Sequence, residues 1–212
     1  MISPRLSREN IVAVAIEMAD EDGLAAVTLR GIAARLAVHV TSLYNHVPTK
    51  EAVLDEMVKA LLAEARLPAG RIAWQDWVRQ FAAGVRALGR KHPGAFEAFH
   101  YRQAQGEQSA ASFESGFAAF RSAGFDVSST YAAVKATIVA VLGVVLEDTA
   151  PRRTSTGPTD LEQLPIERFP HIHAMSRVAR KADTFTYLVE ALIAGFAATR
   201  KAGKRRRERV SD

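Results

Sequence analysis

Apolar residues recur at helical spacing along almost the whole chain, and this periodicity limits the fold more than any other feature. Between Trp74 and Leu88, for example, they return every three or four residues, which places them on one face of a helix. Val, Ile and Thr do not form alternating runs bounded by hairpin turns, the pattern that indicates strands. The sequence therefore predicts an all-α protein.

Good capping residues divide the first third of the chain into short helices. The N-caps that we predict are Ser7, Thr28 and Thr49. Gly23 supplies a stop for the first helix, which should reach Asp22. The third helix, at about 40–46, ends before Pro48, because proline disfavours a helical conformation at the preceding residue.

The remainder of the chain is larger and more apolar. An amphipathic helix begins near Trp74 and is interrupted by the His-Pro-Gly sequence at 92–94. The stretch Ser128 to Glu147 is apolar almost all round its middle, so we expect a helix buried on several sides. A long loop over 151–165 precedes a last helix over 183–199.

The chain has 212 residues, of which 48% are hydrophobic, enough for a substantial core. We predict a first domain over 1–50, a connecting helix over 51–68, a helical second domain over 69–200 and a basic, disordered tail over 201–212. The net charge of +5 permits nucleic-acid binding without establishing it. The basic tail has two interpretations: a solvated, disordered end, or an arm that binds phosphate.

Composition also excludes several classes of site. The absence of cysteine excludes disulfides, thiolate zinc sites and cysteine nucleophiles. The longest apolar run, at 136–146, is shorter than the roughly 20 residues that span a bilayer. The N-terminus does not resemble a secretory signal. We expect a cytoplasmic protein with no membrane partner.

The segment most informative about function is Thr28 to Lys50, TLRGIAARLAVHVTSLYNHVPTK. Two short helices joined by a tight turn form a helix-turn-helix, whose second helix inserts its N-terminal part into the major groove of DNA. This groove is about 12 Å wide and admits one α-helix.

This segment, with its flanks from residue 7 to about 62, resembles the DNA-binding domain of the TetR family. The resemblance rests on the T-L-R-x-I-A-x-x-L pattern and on the Leu-Tyr-Asn-His-Val sequence at 43–47, with Lys50 close behind. It implies a helix-turn-helix regulator that binds double-stranded operator DNA as a homodimer. It also implies a helical ligand-binding and dimerisation domain, through which a small molecule releases a repressor from a near-palindromic site.

The resemblance also implies roles for single residues. Thr28 and Arg30 would meet phosphate at the start of the second helix, and Tyr44 and Lys50 would contact phosphates that set the register. The predicted base-edge or groove-wall contacts are His39, Val40, Thr41, Ser42, Asn45 and His46. For Tyr44 and His46 a structural alternative exists: the tyrosine ring would be half-buried, and the histidine would cap its helix.

One residue departs from the family pattern. Members usually have glycine at the turn position that Ala37 occupies here. A left-handed conformation costs a non-glycine residue roughly 1–2 kcal/mol. Either the turn differs slightly, or the chain carries the strain.

The second part of the chain resembles the subgroup around the tetracycline repressor. The matching pieces are LGVVLED at 142–148 and ERFPHIHAM at 167–175. The resemblance implies a dimer formed by the 128–147 helix and the last helix, packed as a four-helix arrangement.

A ligand pocket would be mostly apolar with a few polar groups. Our candidates to line it are Trp77, Phe81, Phe96, Phe99, His100, Tyr101, Phe113, Phe117, Tyr131 and Lys135. Ordinary core packing is the alternative for each phenylalanine, and an exposed position is the alternative for Lys135. His100 and Glu147 are too weak a pair to predict a metal site, and we predict no metal or cofactor.

Two other functional classes compete with the regulator. An all-α enzyme is disfavoured, because the sequence has no glycine-rich phosphate loop, no HExxH motif and no nucleophile elbow. A non-specific DNA binder driven by the basic tail would leave the large apolar domain without a purpose.

Overall fold

The structure is a computed structural model that describes residues 6–102, 107–149, 164–179 and 182–211, and these ranges contain helices but no strands. This agrees with the predicted all-α fold. In chain order the α-helices are α1 (Arg8–Asp22), α2 (Leu29–Arg35), α3 (Val40–Leu43), α4 (Lys50–Glu64), α5 (Trp74–Lys91), α6 (Ala98–Tyr101), α7 (Glu107–Ser122), α8 (Val127–Thr149), α9 (Pro170–Ala179) and α10 (Thr184–Ser211).

The three predicted N-caps are confirmed. Each side-chain oxygen accepts a hydrogen bond from the amide three residues further on: Ser7 from Asn10 at 3.2 Å, Thr28 from Gly31 at 3.0 Å, and Thr49 from Ala52 at 3.1 Å. Such a bond satisfies one of the free amides of the first turn and is worth about 1 kcal/mol.

Helix α8 lies at the centre of the larger part of the molecule. It packs against α5, α7 and α10. By length and composition this helix of 23 residues, with a mean hydropathy of 1.8, would also be able to cross a membrane. Packing against these three partners buries 33% of its most apolar stretch, and Val139 on another face of the helix is 57% exposed.

An aromatic cluster fills the space between α5, α7 and α10. Trp74 has its ring centroid 5.2 Å from that of Phe120 and 6.4 Å from that of Phe196. Phe125 packs edge-on to Phe120 at 5.0 Å. These rings place α5 firmly against the helices that carry the rest of the core.

The structure differs from the sequence prediction in three helices. Helix α3 is shorter than expected, because a turn replaces its last residues after Leu43. Helix α9 was not predicted; Pro170 occupies its first position, where proline is favoured. Helix α10 continues to Ser211 through the predicted disordered tail, a stretch rich in the good helix formers Lys and Arg. The predicted loop at 151–165 lies mostly outside the described residues.

A polar junction joins the end of α1 to the ends of α4 and α5. One carboxylate oxygen of Asp20 accepts hydrogen bonds from the amides of Gly94 and Ala95, at 3.0 and 2.9 Å. Its other oxygen lies 2.7 Å from Nδ1 of His92, whose Nε2 lies 3.1 Å from a carboxylate oxygen of Glu64. This junction fixes the first three helices to the larger helical body.

Candidate nucleic-acid interface and cavity

The turn between α2 and α3 is a Schellman motif. The amide of Val38 donates to the carbonyl of Ala33 at 3.0 Å, and the amide of Ala37 donates to that of Ala34 at 3.2 Å. Ala37 has a φ of 54°, the left-handed conformation that glycine usually supplies. The chain therefore keeps the motif's hydrogen bonds and carries the strain at Ala37.

Two apolar side chains hold α3 and its following turn in place. Leu43 is fully buried, and Val47 is 1% exposed. Helix α3 packs against α2. With this side of α3 buried, its opposite side faces solvent.

All ten predicted DNA-binding residues keep contact with solvent. Those that are exposed are Thr28, Arg30, His39, Thr41, Tyr44 and Asn45, and those that are half-buried are Val40, Ser42, His46 and Lys50. Tyr44 is 52% exposed, which fits both the predicted phosphate contact and the half-buried alternative. Exposure leaves these side chains free to meet a macromolecule, and their individual roles stay predictions.

The basic side chains of this region differ in their pairing. Arg35 forms an ion pair with Glu21 of α1, and the carboxylate raises the pKa of the Arg35 guanidinium. Arg30 and Lys50 form no ion pair with any residue in the described part of the chain. Their charges are therefore available to an anionic partner.

A cavity of about 330 Å³ lies among the helices of the larger part. Helix α4 and the residues after it, α5, α6, α7 and α8 all contribute to its wall. The lining residues are Leu62, Ala65, Leu67, Phe81, Val85, Leu88, Phe96, Phe99, Tyr101, Arg102, Ser112, Phe113, Lys135, Ile138 and Leu142. Its size and largely apolar lining are typical of small-molecule sites.

The structure brings six of our ten pocket candidates together at this cavity: Phe81, Phe96, Phe99, Tyr101, Phe113 and Lys135. Trp77 is fully buried and stacks on Phe81 with a centroid distance of 5.1 Å, so it supports the wall from behind. Phe117 packs against the core without lining the cavity, and Tyr131 is 62% exposed on α8. The side chain of His100 lies outside the described residues.

Sequence reasoning missed Ser112 and Arg102. Ser112 is 5% exposed although serine is usually a surface residue. The one signal for it is its place beside Phe113 on α7, and this signal is weak. Arg102 gave no signal at all, because its position depends on how the end of α6 packs against α4.

No group of three or more metal-binding side chains occurs among the residues that the structure describes.

Two family models match the chain. The model described as bacterial regulatory proteins of the tetR family covers residues 11–57, and the tetracycline-repressor-like C-terminal domain covers residues 67–200. Their order and extent correspond to the helix-turn-helix region and to the helices around the cavity. This chain belongs to the TetR family of bacterial transcriptional regulators.

Curated relatives agree with this assignment. The chain is 30% identical over 200 residues to the class D tetracycline repressor protein of Escherichia coli, and the match covers 91% of this chain and 89% of that protein. It is 37% identical over 143 residues to an HTH-type transcriptional regulator of Saccharopolyspora erythraea. That match covers 67% of this chain and 61% of the relative, less than two thirds of its length.

Solved structures share the TetR fold. Apo ActR from Streptomyces coelicolor is similar with a TM-score of 0.78 at 22% identity, covering 93% of this chain and 98% of ActR. A single-residue variant of TetR from Acinetobacter baumannii, solved with minocycline, has a TM-score of 0.69 at 25% identity. This match covers 92% of this chain and 99% of the TetR variant.

Proposed function

We propose that this TetR-family protein is a repressor that binds a near-palindromic operator as a homodimer and is released by a small molecule. The observation that carries the proposal is the exposed side of α3 and its turn, held outward by buried Leu43 and Val47. The name of the class D tetracycline repressor, similar over most of both chains, supports a repressor.

In this proposal α3 lies in the major groove. Thr41 and Asn45 are exposed side chains that would reach base edges, while Tyr44 and Lys50 would contact phosphates and set the register. Val40 offers no hydrogen bond, and contact with a thymine methyl group suits it.

A homodimer would cover two exposed stripes of small and apolar residues. On α8 the stripe is Ala132, Ala136, Val139 and Gly143, and on α10 it is Tyr187, Ala191, Ala194 and Ala198. Such faces in a soluble protein favour association. We expect Val139→Glu to convert the dimer to a monomer in sedimentation experiments, whereas Glu114→Gln on α7 would leave it dimeric.

Helix α4 would couple the cavity to the DNA-binding surface. Its end supplies Leu62 to the cavity wall, and Lys50 begins the same helix. Fifteen residues make a rod about 22 Å long, so a small rotation at one end moves the other. Release then requires that the ligand bind the two orientations of α4 with different affinity.

The composition of the site favours a regulator over an enzyme. Because its proposed partner is DNA, the regulator would act in the cytoplasm. An exposed DNA-binding helix and an apolar cavity serve recognition, and the cavity's described wall contains no paired carboxylates or nucleophile–base pair that would support catalysis. The structures of ActR with actinorhodin and of the A. baumannii TetR variant with minocycline support a small molecule as the effector.

The test is binding to the DNA that flanks the protein's own gene, measured at a stated salt concentration with excess competitor DNA. The Tyr44→Ala, Lys50→Ala double variant is compared with wild type. Arg71→Ala is the matched control, because it also removes one positive charge but lies outside α1–α4.

Tight, competitor-resistant binding that the double variant loses and Arg71→Ala keeps would support the proposal, and the footprint should show half-sites about 34–36 Å apart. Weak binding that competitor abolishes equally in all three proteins would overturn it. That result would favour non-specific binding through the basic end of the chain.

A further inference from the structure

The charged residues that line the cavity are all of one sign. Within the described wall, Lys135 and Arg102 are the charged side chains, and no carboxylate accompanies them. Most of the remaining wall is aliphatic or aromatic. An apolar cavity with uncompensated positive charge favours an anion over a neutral or cationic molecule of the same shape.

The two cations differ in how they are paired. Nε of Arg102 lies 3.3 Å from a carboxylate oxygen of Asp55 on α4, so its charge is already partly neutralised. Lys135 forms no ion pair with any residue in the described ranges. The charge available to a ligand is therefore mainly that of Lys135.

Helix geometry places Lys135 at the cavity. Lys135, Ile138 and Leu142 all line it, and their spacing of three and four residues puts them on one side of α8. The Lys135 side chain is exposed, which is the alternative that the sequence left open, so its ammonium group meets both the cavity and solvent. Water partly screens an ion pair formed there, so the preference for an anion should be modest.

Another polar side chain of the wall is that of Ser112, which is 5% exposed. Its hydroxyl oxygen has no hydrogen-bond partner in the described part of the molecule and is buried from the cavity as well as from solvent, so it reaches a ligand atom only after a change of rotamer. Lys135 rather than Ser112 is therefore the polar group that a ligand meets directly.

The rest of the wall selects a ring system. Phe81 and Phe96 are buried, and Phe99 and Phe113 are half-buried, so four phenylalanine rings line the cavity. Aromatic side chains bind flat ligand rings by stacked and edge-on contacts.

From these observations we infer that the ligand is an aromatic acid, whose rings lie among the phenylalanines and whose anionic group binds Lys135. This inference rests on the proposed function, because it names the chemistry of the proposed effector. It assigns to Lys135 the choice between an acid and its neutral analogue.

The experiment compares three probes that share one ring system: anthracene-9-carboxylate, neutral anthracene-9-methanol and cationic 9-(aminomethyl)anthracene. Binding is measured by energy transfer from the two tryptophans of the chain to anthracene. Trp77 reports on the cavity, because it stacks on Phe81 at 5.1 Å and Phe81 lines the wall.

We expect the carboxylate to bind about tenfold tighter than the methanol, since its charge-assisted hydrogen bond to Lys135 is stronger than a neutral one even where solvent partly screens it. The cation should bind weakest. Lys135→Met should remove this preference: the affinity for the carboxylate should fall about tenfold, and the affinity for the methanol should not change. Lys59→Met on α4, which loses a lysine paired with Glu56 at 2.7 Å outside the cavity, is the control.

Equal affinity for the carboxylate and the methanol, or a preference that survives Lys135→Met, would overturn the inference. Operator binding is measured on the same preparations without probe. Specific operator binding together with no acid preference would reject the aromatic acid alone, whereas loss of specific operator binding would reject the proposed repressor.

Discussion

Gly94 packs directly against the backbone at the end of α1: a Cβ atom at residue 94 would lie 1.8 Å from the carbonyl oxygen of Ala19. The neighbour is backbone, so it cannot move aside by changing rotamer. The same approach allows Asp20 to accept hydrogen bonds from the amides of Gly94 and Ala95. This contact helps to determine the orientation of α1–α3 relative to the larger helical part of the molecule.

Gly94→Ala should therefore separate α1 from residues 92–95. We expect the free energy of unfolding to fall by about 3 kcal/mol, which is at the upper end of the range for overpacked variants. The protein that remains folded should bind its operator more weakly. Thermal unfolding and DNA titration measure the two effects. Glu97→Ala, an exposed change in the same turn, is the control, and an unchanged Tm for Gly94→Ala would contradict the packing described here.

Ala37→Gly should stabilise the protein by up to about 1 kcal/mol, because it relieves the left-handed strain at a φ of 54°. For a chain of this length that corresponds to a Tm rise of about 2–4 °C. Ala37→Val should lower the Tm, since a β-branched residue tolerates positive φ less well. A lower Tm for Ala37→Gly would contradict the backbone strain assigned to Ala37.

Gly116→Ala should push on the wall of the cavity. A Cβ at residue 116 would lie 2.5 Å from Cζ2 of Trp77, which stacks on Phe81. We expect the free energy of unfolding to fall by about 1–3 kcal/mol. The fluorescence emission of the tryptophans should also change.

The double variant Gly116→Ala, Trp77→Phe tests the direct contact. The smaller ring makes room for the added methyl group and also removes the buried Nε1 of Trp77, which has no partner in the described region. Its destabilisation should be smaller than the sum of the two single changes. Additive losses would show that residues 116 and 77 do not compete for space.

Stability should fall in mild acid. Hydrogen bonds from Lys91 first, and then His92, lower the pKa of Glu64, and hydrogen bonds from Arg79 lower that of Glu190. A carboxyl whose pKa is lowered in the folded state contributes stability above its unfolded value of about 4.3 and loses it as the pH falls through the folded value.

Glu190→Gln should therefore flatten the decline of Tm between about pH 5 and pH 3. The carboxylate of Glu190 accepts two hydrogen bonds from Arg79, at 2.9 and 3.0 Å, and so ties α10 to α5. Glu147→Gln, an exposed carboxyl without an ion pair in the described ranges, should leave the pH profile as in wild type. Identical profiles for all three proteins would exclude Glu190 as a source of the acid sensitivity.

Local signals in the sequence were sufficient for the starts of α1, α2 and α4 and for the helix-turn-helix. Ser7, Thr28 and Thr49 cap their helices through bonds that span three residues, so the pattern of a short segment decides them. The turn at Ala37 required the structure, since the sequence left open whether it kept the geometry usual for glycine.

The cavity depended on contacts that are distant along the chain. The sequence identified aromatic residues on one face of each helix, yet the same pattern fits ordinary core packing, and Trp77, Phe117 and Tyr131 do not line the wall. Ser112 and Arg102 became visible only when α4, α6 and α7 were packed together.

By itself, then, the sequence determined the helical fold, the caps and the DNA-binding motif, because each depends on residues a few positions apart. Tertiary structure alone decided which side chains meet across the cavity. It also decided that Asp20, Glu64, His92 and Gly94 form one junction, because residues 20 and 94 become neighbours only when α1 packs against the end of α5. Periodicity specifies which face of a helix is buried, but it does not specify which other helix covers that face.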